Sequence, residues 1–173
     1  GIYVNTEKLF IVRKAIAAHI EELKDILAKE FNVPREFNWG SPYVVGKLFK
    51  NMGWESYGTN SKGEYSVADF QLERWVKKHP EVAYLQELRS MNVLLRTFVG
   101  DVEGTTGWTQ YLIHHDEDPA NVSRLHPTFA AMGTESGRTR TSQPNTQNIP
   151  TRGLFTKEIK GCLCTPDDDK YYM

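Results

Sequence analysis

The sequence has little cysteine and no long apolar run, and both shortages limit what the chain can be. Only two cysteines occur among 173 residues, at Cys162 and Cys164. Two neighbouring thiols are not a disulfide framework, so they indicate a reducing compartment. No run of eighteen apolar residues is present, and the first residues are not typical of a signal peptide. We therefore expect a cytoplasmic protein without a membrane partner.

An excess of charge of either sign is missing as well. The formal net charge is -1, so any attraction for nucleic acid must come from local clusters of cations. A starting methionine and a closing helix are also absent, which is typical of a piece of a longer protein. With 39% apolar residues the chain is able to bury a core, which excludes a disordered tail and favours about one domain.

Helical periodicity dominates the first hundred residues. The first helix is indicated by apolar residues three or four positions apart, at Leu9, Val12, Ile16, Ile20, Leu23 and Leu27. Asn5 or Thr6 is its expected cap. Ser41 followed by Pro42 predicts the start of a second helix, which Gly53 ends. Two long helix signals this early predict a mostly helical first part.

Two more helices are expected before the sequence changes from helical periodicity to β-prone segments. Ser66 is predicted to cap a third helix, and a fourth runs from Pro80 to Gly100. Later segments are β-prone instead: residues 107–115, residues 124–134, and "GCLC" with "KYYM" as two arms of a hairpin. The predicted fold is therefore α+β, a helical part followed by an incomplete antiparallel sheet.

The stretch "RTRTSQPNTQNIPTR", residues 138–152, is too polar to form a core. Its long polar side chains are Arg138, Arg140, Asn145, Gln147, Asn148 and Arg152. Arginine donates from a planar fork, and the amides both donate and accept, which suits a ligand rich in phosphates and base-edge acceptors. Every base pair shows acceptors in the minor groove, so an arginine there tests pairing without reading sequence. Composition alone favours an ordinary surface turn over a ligand-binding surface.

The longer segment "SGRTRTSQPNTQNIPTR" resembles the family A DNA polymerases, which carry T-G-R-x-S-S-x-x-P-N-x-Q-N-I-P-x-R ahead of their first catalytic aspartate. The segments "FNWGSPYVVGKLFKNMGW", "KGEYSVADFQLERWVKKHP" and "LQELRSMNVLLRTFV" are similar to family segments in the same order. The resemblance implies that residues 1–100 form a helical thumb, and that residues 101–173 begin the palm with a DNA-contacting loop at 137–152. It implies a primer-template DNA-binding role in DNA replication or repair, in a bacterium or a phage.

The resemblance also implies which residues meet the DNA. Arg138 is placed at the minor groove of the primer-terminal pair. Template and primer backbones are assigned to Asn145, Gln147, Asn148 and Arg152. Arg140 is a further candidate for DNA binding, although the family has leucine and serines in that short stretch. Duplex phosphates are assigned to Thr97, Lys62 and the helix start at Ser66. The family has more lysines around the thumb tip, and Val93 stands where a lysine is usual, which suggests a weaker grip on the backbone.

The family's catalytic metal ligands are expected beyond the last residue. By the resemblance, two aspartates hold two Mg²⁺ ions, and the first would follow shortly after Met173. We expect no catalytic or metal-binding residue here, an inactive chain in isolation, and dNTP binding only together with the missing palm and fingers. A second chain that completes a split polymerase is an alternative to one longer polypeptide.

Two other functions remain open from the residues alone. One is a stand-alone DNA-binding or interaction module. The other is a metal hydrolase that uses "HHDED", residues 114–118, or the acidic turn at 167–169. Adjacent side chains in an extended segment point apart, so a solvated loop is the better expectation for "HHDED". The four tryptophans are predicted to be core or boundary residues.

Overall fold

The computed structural model describes residues 1–130 and 139–165. The chain forms two compact units: unit 1 consists of residues 1–18 and the chain from residue 92 onward, and unit 2 of residues 19–91. The helices are α1 (Thr6–Glu30), α2 (Pro42–Asn51), α3 (Asp69–Val76), α4 (Val82–Leu94) and α5 (Thr156–Lys160), and the strands are β1 (Ile2–Asn5), β2 (Val122–Leu125), β3 (Thr128–Ala130) and β4 (Arg140–Ser142). The predicted α+β class is confirmed. The division into thumb and palm at residue 100 stays a prediction.

The first two helices start where the sequence indicates. The Asn5 side chain accepts a hydrogen bond from the backbone N–H of Lys8 at 2.9 Å, and the Ser41 hydroxyl accepts one from Val44 at 3.4 Å. Both bonds satisfy N–H groups that the first helical turn leaves without partners. Gly53 follows α2 with a φ of 71°, a conformation that favours glycine.

The expected cap at Ser66 is wrong. α3 begins at Asp69 with Ala68 as its cap residue, two positions later than predicted. The side chain of Gln71 explains the shift: its Oε1 accepts hydrogen bonds from the Ala68 N–H at 3.2 Å and from the Ser66 hydroxyl at 2.5 Å. A glutamine at the third helical position thus takes over the capping role.

Unit 2 is built around an aromatic cluster. Phe49 lies 4.6 Å from Trp54 and 4.9 Å from Trp75 between ring centroids, and Phe31 is stacked on Phe49 at 5.8 Å. The other buried apolar residues of the unit are Ile20, Leu23, Leu27, Trp39, Val45, Val67, Leu72, Val82, Leu85, Leu88 and Met91. The prediction that Trp39 and Trp75 are core residues is confirmed.

Unit 1 contains two small antiparallel sheets. β1 pairs with β2 in a register that places Ile2 opposite Leu125, and β3 pairs with β4 with Thr128 opposite Ser142. Single bridges extend the first sheet on both sides, from Ile113 to β2 and from Leu163 to β1. The buried apolar residues of this unit are Val4, Leu9, Val12, Ile16, Leu94, Phe98, Val99, Trp108, Val122, Leu125, Ile159 and Cys162.

Several strand predictions in unit 1 are corrected by the structure. The segment 107–115 forms a 3-10 turn at Trp108–Tyr111, and only Ile113 within it pairs with a strand. "GCLC" follows the unpredicted helix α5 and contributes a single bridge at Leu163, while "KYYM" lies outside the described residues. Short apolar runs are ambiguous between buried turns and strands, which is the reason for these errors. Among the helices of the described residues, none is long and apolar enough to cross a membrane.

Candidate nucleic-acid interface

The polar loop, residues 139–152, begins as strand β4 and continues as a turn-rich segment. Thr141, in the middle of β4, is buried, whereas Arg140 beside it is exposed. Strand pairing fixes this alternation because neighbouring side chains point to opposite faces. Arg138 lies outside the described residues, so its predicted place at the primer terminus stays a prediction.

Two amide side chains shape the loop from within. The Oδ1 of Asn145 accepts hydrogen bonds from the backbone N–H groups of Gln147 and Asn148, both at 3.2 Å. The Oε1 of Gln147 reaches back and accepts one from the N–H of Thr141 at 3.2 Å. Both carbonyl oxygens are therefore committed to the fold of the loop, an arrangement typical of asparagine in turns.

A buried tryptophan attaches the loop to unit 1. The indole N–H of Trp108 donates to the backbone oxygen of Asn145 at 3.4 Å, and the indole itself is fully buried. Trp108 also packs edge-on against Phe98, 5.9 Å between ring centroids. The prediction that Trp108 is a core or boundary residue is confirmed, but its contact with the loop was not predicted, because nothing in the sequence links residues 37 positions apart.

The outer side of the loop offers hydrogen-bond donors. Arg140, Gln147, Asn148 and Arg152 are exposed, and Asn145 is half-buried. The two arginines have no acceptor atoms at all, and the carbonyl oxygens of Asn145 and Gln147 are used internally. Such a surface matches a partner that presents acceptors, such as phosphates or the minor-groove edges of base pairs.

Thr97 lies in unit 1 on the π-helical turn Leu95–Val99, which continues α4. Thr97 is exposed, while Phe98 and Val99 beside it are buried. π-helical turns are rare and frequent at functional sites. The turn ends at Gly100, whose φ of 90° breaks the helix.

In unit 2, Lys62 lies on a second candidate surface, the tip hairpin, which is defined by the bridge between Thr59 and Tyr65. The Lys62 side chain is exposed, with its Nζ 5.7 Å from the centre of the Tyr43 ring. Ser66 follows the hairpin but does not head a helix, since α3 begins at Asp69. The Asp69 side chain is 84% exposed and lies 3.4 Å from the guanidinium of Arg89, so charges of both signs lie at this helix start.

The "HHDED" segment is only partly the solvated loop that the sequence favoured. The Asp118 side chain is 2% exposed and forms a two-pronged ion pair with Arg124, which donates at 2.5 and 2.7 Å. These hydrogen bonds hold the pKa of the Asp118 carboxyl below its ordinary value. Across the described residues no three His, Cys, Asp or Glu side chains gather as metal ligands. The acidic turn at 167–169 lies outside that part of the chain.

Cys162 is an inert thiol at neutral pH. It is fully buried, its S–H donates to the backbone oxygen of Glu158 at 3.3 Å, and burial raises its pKa from 9.0 to about 11. A thiol reacts through its ionised form, which burial disfavours. Cys162 is therefore not a candidate for a catalytic nucleophile.

Comparison with known proteins agrees with the resemblance seen in the sequence. The family described as DNA polymerase family A matches residues 6–173. DNA polymerase I of Synechocystis sp. (strain ATCC 27184 / PCC 6803 / Kazusa) is 29% identical over 172 residues, which cover 97% of this chain and 16% of that protein. DNA polymerase I of Bacillus subtilis (strain 168) is 28% identical and matches 98% of this chain and 18% of its own length. The chain thus spans less than a fifth of the length of these relatives.

A phage protein and a solved structure are similar as well. The DNA polymerase of Bacillus phage SP01 is 31% identical over 132 residues, 72% of this chain and 13% of that protein. The solved structure is the POL domain of Pol1 from M. smegmatis in complex with DNA primer-template and dNTP, at 22% identity and a TM-score of 0.74, covering 95% of this chain and 26% of that one. This likeness shows the fold. With the family match over nearly its whole length, the chain belongs to DNA polymerase family A.

Proposed function

We propose that this chain is the part of a DNA-directed DNA polymerase that holds the primer-template duplex, comprising the thumb and the beginning of the palm. The observation that carries the proposal is the polar loop, a preformed surface with exposed donors in which the side-chain oxygens of Asn145 and Gln147 are used internally. The similar POL domain of M. smegmatis was solved with primer-template DNA and dNTP, which supports DNA as the partner.

A donor surface suits a polymerase because it does not discriminate between sequences. Phosphate oxygens are the same at every position, and each base pair offers acceptors in the minor groove. Arg140 and Arg152 are proposed to contact backbone phosphates, for which a guanidinium fork is well shaped. Asn145, Gln147 and Asn148 then present N–H groups to the duplex. A fold fixed before binding lowers the entropy cost of association.

Duplex phosphates are also proposed to meet Thr97 and Lys62. Both residues are exposed, Thr97 within the π-helical turn and Lys62 within the tip hairpin. Ser66 is the weakest of the proposed contacts, because its hydroxyl hydrogen is donated to Gln71. Arg138 keeps its proposed role at the primer terminus on the resemblance alone.

The chemical step is not assigned to this chain. Mg²⁺, when bound to a complete polymerase, activates the primer 3' hydroxyl and stabilises charge on the phosphates. The described residues offer no ligand set that fits such an ion. Metal binding, dNTP binding and nucleotide transfer are proposed for the rest of the polymerase, whether it is the same polypeptide or a second chain. The contribution proposed here is positioning of the 3' end.

The test is binding of a fluorescently labelled primer-template duplex, measured by anisotropy between about 50 and 300 mM salt. Loss of one phosphate contact lowers the slope of log Kd against log salt by about 0.9, so Arg140→Ala and Arg152→Ala should each show this change. The control is Lys29→Ala, which removes an exposed cation in the last turn of α1. Equal slopes for all four proteins would contradict the proposal.

Gln147 separates shaping of the loop from contact with DNA. Gln147→Glu keeps an acceptor for the Thr141 N–H but replaces the outward donor with a negative charge. We expect an unchanged circular dichroism spectrum and about tenfold weaker duplex binding or more, which corresponds to about 1.4 kcal/mol. Unchanged affinity would show that the amide does not face the duplex.

A further inference from the structure

The tip hairpin is seated directly on one face of α2. At Gly46 the helix approaches the hairpin so closely that a Cβ there would lie 2.2 Å from the backbone oxygen of Tyr65. No side chain fits into that space, since real Cβ atoms do not come within 3.0 Å of such a neighbour. Glycine is therefore required at position 46 because it has no side chain, and not because the backbone angle there is unusual.

Two more residues of the same helix face reach the hairpin. Lys50 Nζ lies 3.5 Å from the backbone oxygen of Gly63 and 3.6 Å from Glu64 Oε2. Tyr43 places its ring under Lys62, with the ammonium 5.7 Å from the ring centre. Tyr43, Gly46 and Lys50 are three and four positions apart, the spacing that puts side chains on one face of a helix.

The backbone of Lys62 is fixed by the hairpin itself. Asn60 Oδ1 accepts hydrogen bonds from the N–H groups of Lys62 at 2.9 Å and Glu64 at 3.1 Å. The Asn60 N–H donates to the oxygen of Glu64 at 2.8 Å, and the Gly63 N–H to the oxygen of Asn60 at 3.0 Å. The hairpin backbone is thus held by its own hydrogen bonds, so whatever fixes its packing on α2 also fixes where the backbone of Lys62 lies.

We infer that α2 positions Lys62 for its phosphate, with Gly46 and Tyr43 as positioning residues that do not themselves touch the DNA. The inference rests on the proposed function, which gives Lys62 that phosphate. Residues 58–66 contain one lysine, Lys62. A single cation must be held in place to be useful, because a mobile lysine loses side-chain entropy when it binds. The close packing at Gly46 holds the hairpin in place, and the Tyr43 ring holds the Lys62 ammonium.

The test is again the salt dependence of duplex binding. Lys62→Ala should lower the slope of log Kd against log salt by about 0.9, which means about 3.5-fold less affinity lost between 50 and 200 mM salt. Gly46→Ala keeps every charge of the chain, yet it should lower the slope by the same amount because the hairpin is displaced. The slope of the double variant should equal that of Lys62→Ala alone, since both changes remove the same phosphate contact.

The matched control is Gly40→Ala, where a new Cβ would meet only the Asn38 side-chain oxygen, at 3.4 Å. It should bind like the unmodified chain. If Gly46→Ala does not fold by circular dichroism, Tyr43→Ala takes its place, because Tyr43 is 43% exposed and carries little of the core. Tyr43→Ala should lower the slope, whereas Tyr43→Phe keeps the ring and should not.

The outcomes separate this inference from the proposed function. If Lys62→Ala lowers the slope and folded Gly46→Ala and Tyr43→Ala do not, the positioning role is overturned and the phosphate contact stands. If Lys62→Ala leaves the slope unchanged while Arg140→Ala lowers it, the hairpin does not contact the duplex and the inference falls, whereas DNA binding by the polar loop remains. If neither variant changes the slope, the proposed function itself is contradicted.

Discussion

The polar loop of unit 1 and the tip hairpin of unit 2 use the same local device with different support. In each, one asparagine oxygen accepts two backbone N–H groups: Asn145 binds Gln147 and Asn148, and Asn60 binds Lys62 and Glu64. The hairpin is then seated on a neighbouring helix by a glycine. The loop is closed by the hydrogen bond between its own Gln147 and Thr141, and it is attached to the rest of unit 1 through Trp108.

The position of the supporting residues in the chain decides whether the sequence reveals them. In the polar loop the residues that shape the turn and the residues that face outward lie within one short stretch, so a single pattern shows their residue types, although not their hydrogen bonds. In the hairpin the support comes from Gly46 and Lys50 of α2, which precede the hairpin residues they contact by more than ten positions, and no local pattern reveals it. Because α2 supports the hairpin, substitution of the hairpin's lysine should not disrupt the hairpin fold.

The largest expected effect is at Trp108, where the loop is attached. Trp108→Ala should lower the free energy of unfolding by about 3–5 kcal/mol, the usual cost of deleting a fully buried large aromatic side chain. Urea denaturation measures this loss. A loss under 1 kcal/mol would show that the loop does not depend on the indole.

Trp108→Phe tests the same attachment more narrowly. It retains most of the ring but removes the N–H that Asn145 accepts. Hydrogen exchange at Thr141 in the loop should become faster, while exchange at Lys62 in the hairpin should not change. Equal acceleration at both sites would contradict the separate support of the two regions.

A smaller effect is expected from the two asparagines. Asn145→Ala and Asn60→Ala each remove an acceptor for two backbone N–H groups, and each should cost about 1 kcal/mol of unfolding free energy. The matched controls are Asn145→Asp and Asn60→Asp, which keep the acceptor oxygen. If the aspartate variants are destabilised as much as the alanine variants, the shared device is not an acceptor effect.

The smallest effect belongs to Asp101, a charged version of the same device in unit 1. Its carboxylate accepts hydrogen bonds from the Thr105 hydroxyl and from the N–H groups of Thr105 and Thr106, which hold its pKa below 3.8. A lowered pKa in the folded state means that the stabilisation is complete above 3.8 and is lost as the pH falls through the lowered value. Thermal unfolding between pH 5 and 2 should show a steeper loss for the unmodified chain than for Asp101→Asn. Identical profiles would rule out this contribution.

Periodicity predicted α1 and α2 closely, because their apolar residues repeat over many turns and their caps are local side chains. It failed at Ser66, since a glutamine five residues later captures the hydroxyl. The residue types of the polar loop were visible in the sequence, but the internal use of the Asn145 and Gln147 oxygens was not, because hydrogen-bond partners follow from the turn geometry. Gly46 and Trp108 act through distant backbone atoms, which no local pattern encodes.

The π-helical turn at Leu95–Val99 also bears on how the chain can change through evolution. A π-turn holds one residue more than an α-helical turn, so α4 is able to gain or lose a residue at this point within its own length. The same insertion inside α1 would rotate the following apolar residues by about 100° away from the core. Length variation among descendants of this chain should therefore be tolerated at the end of α4 and selected against along α1.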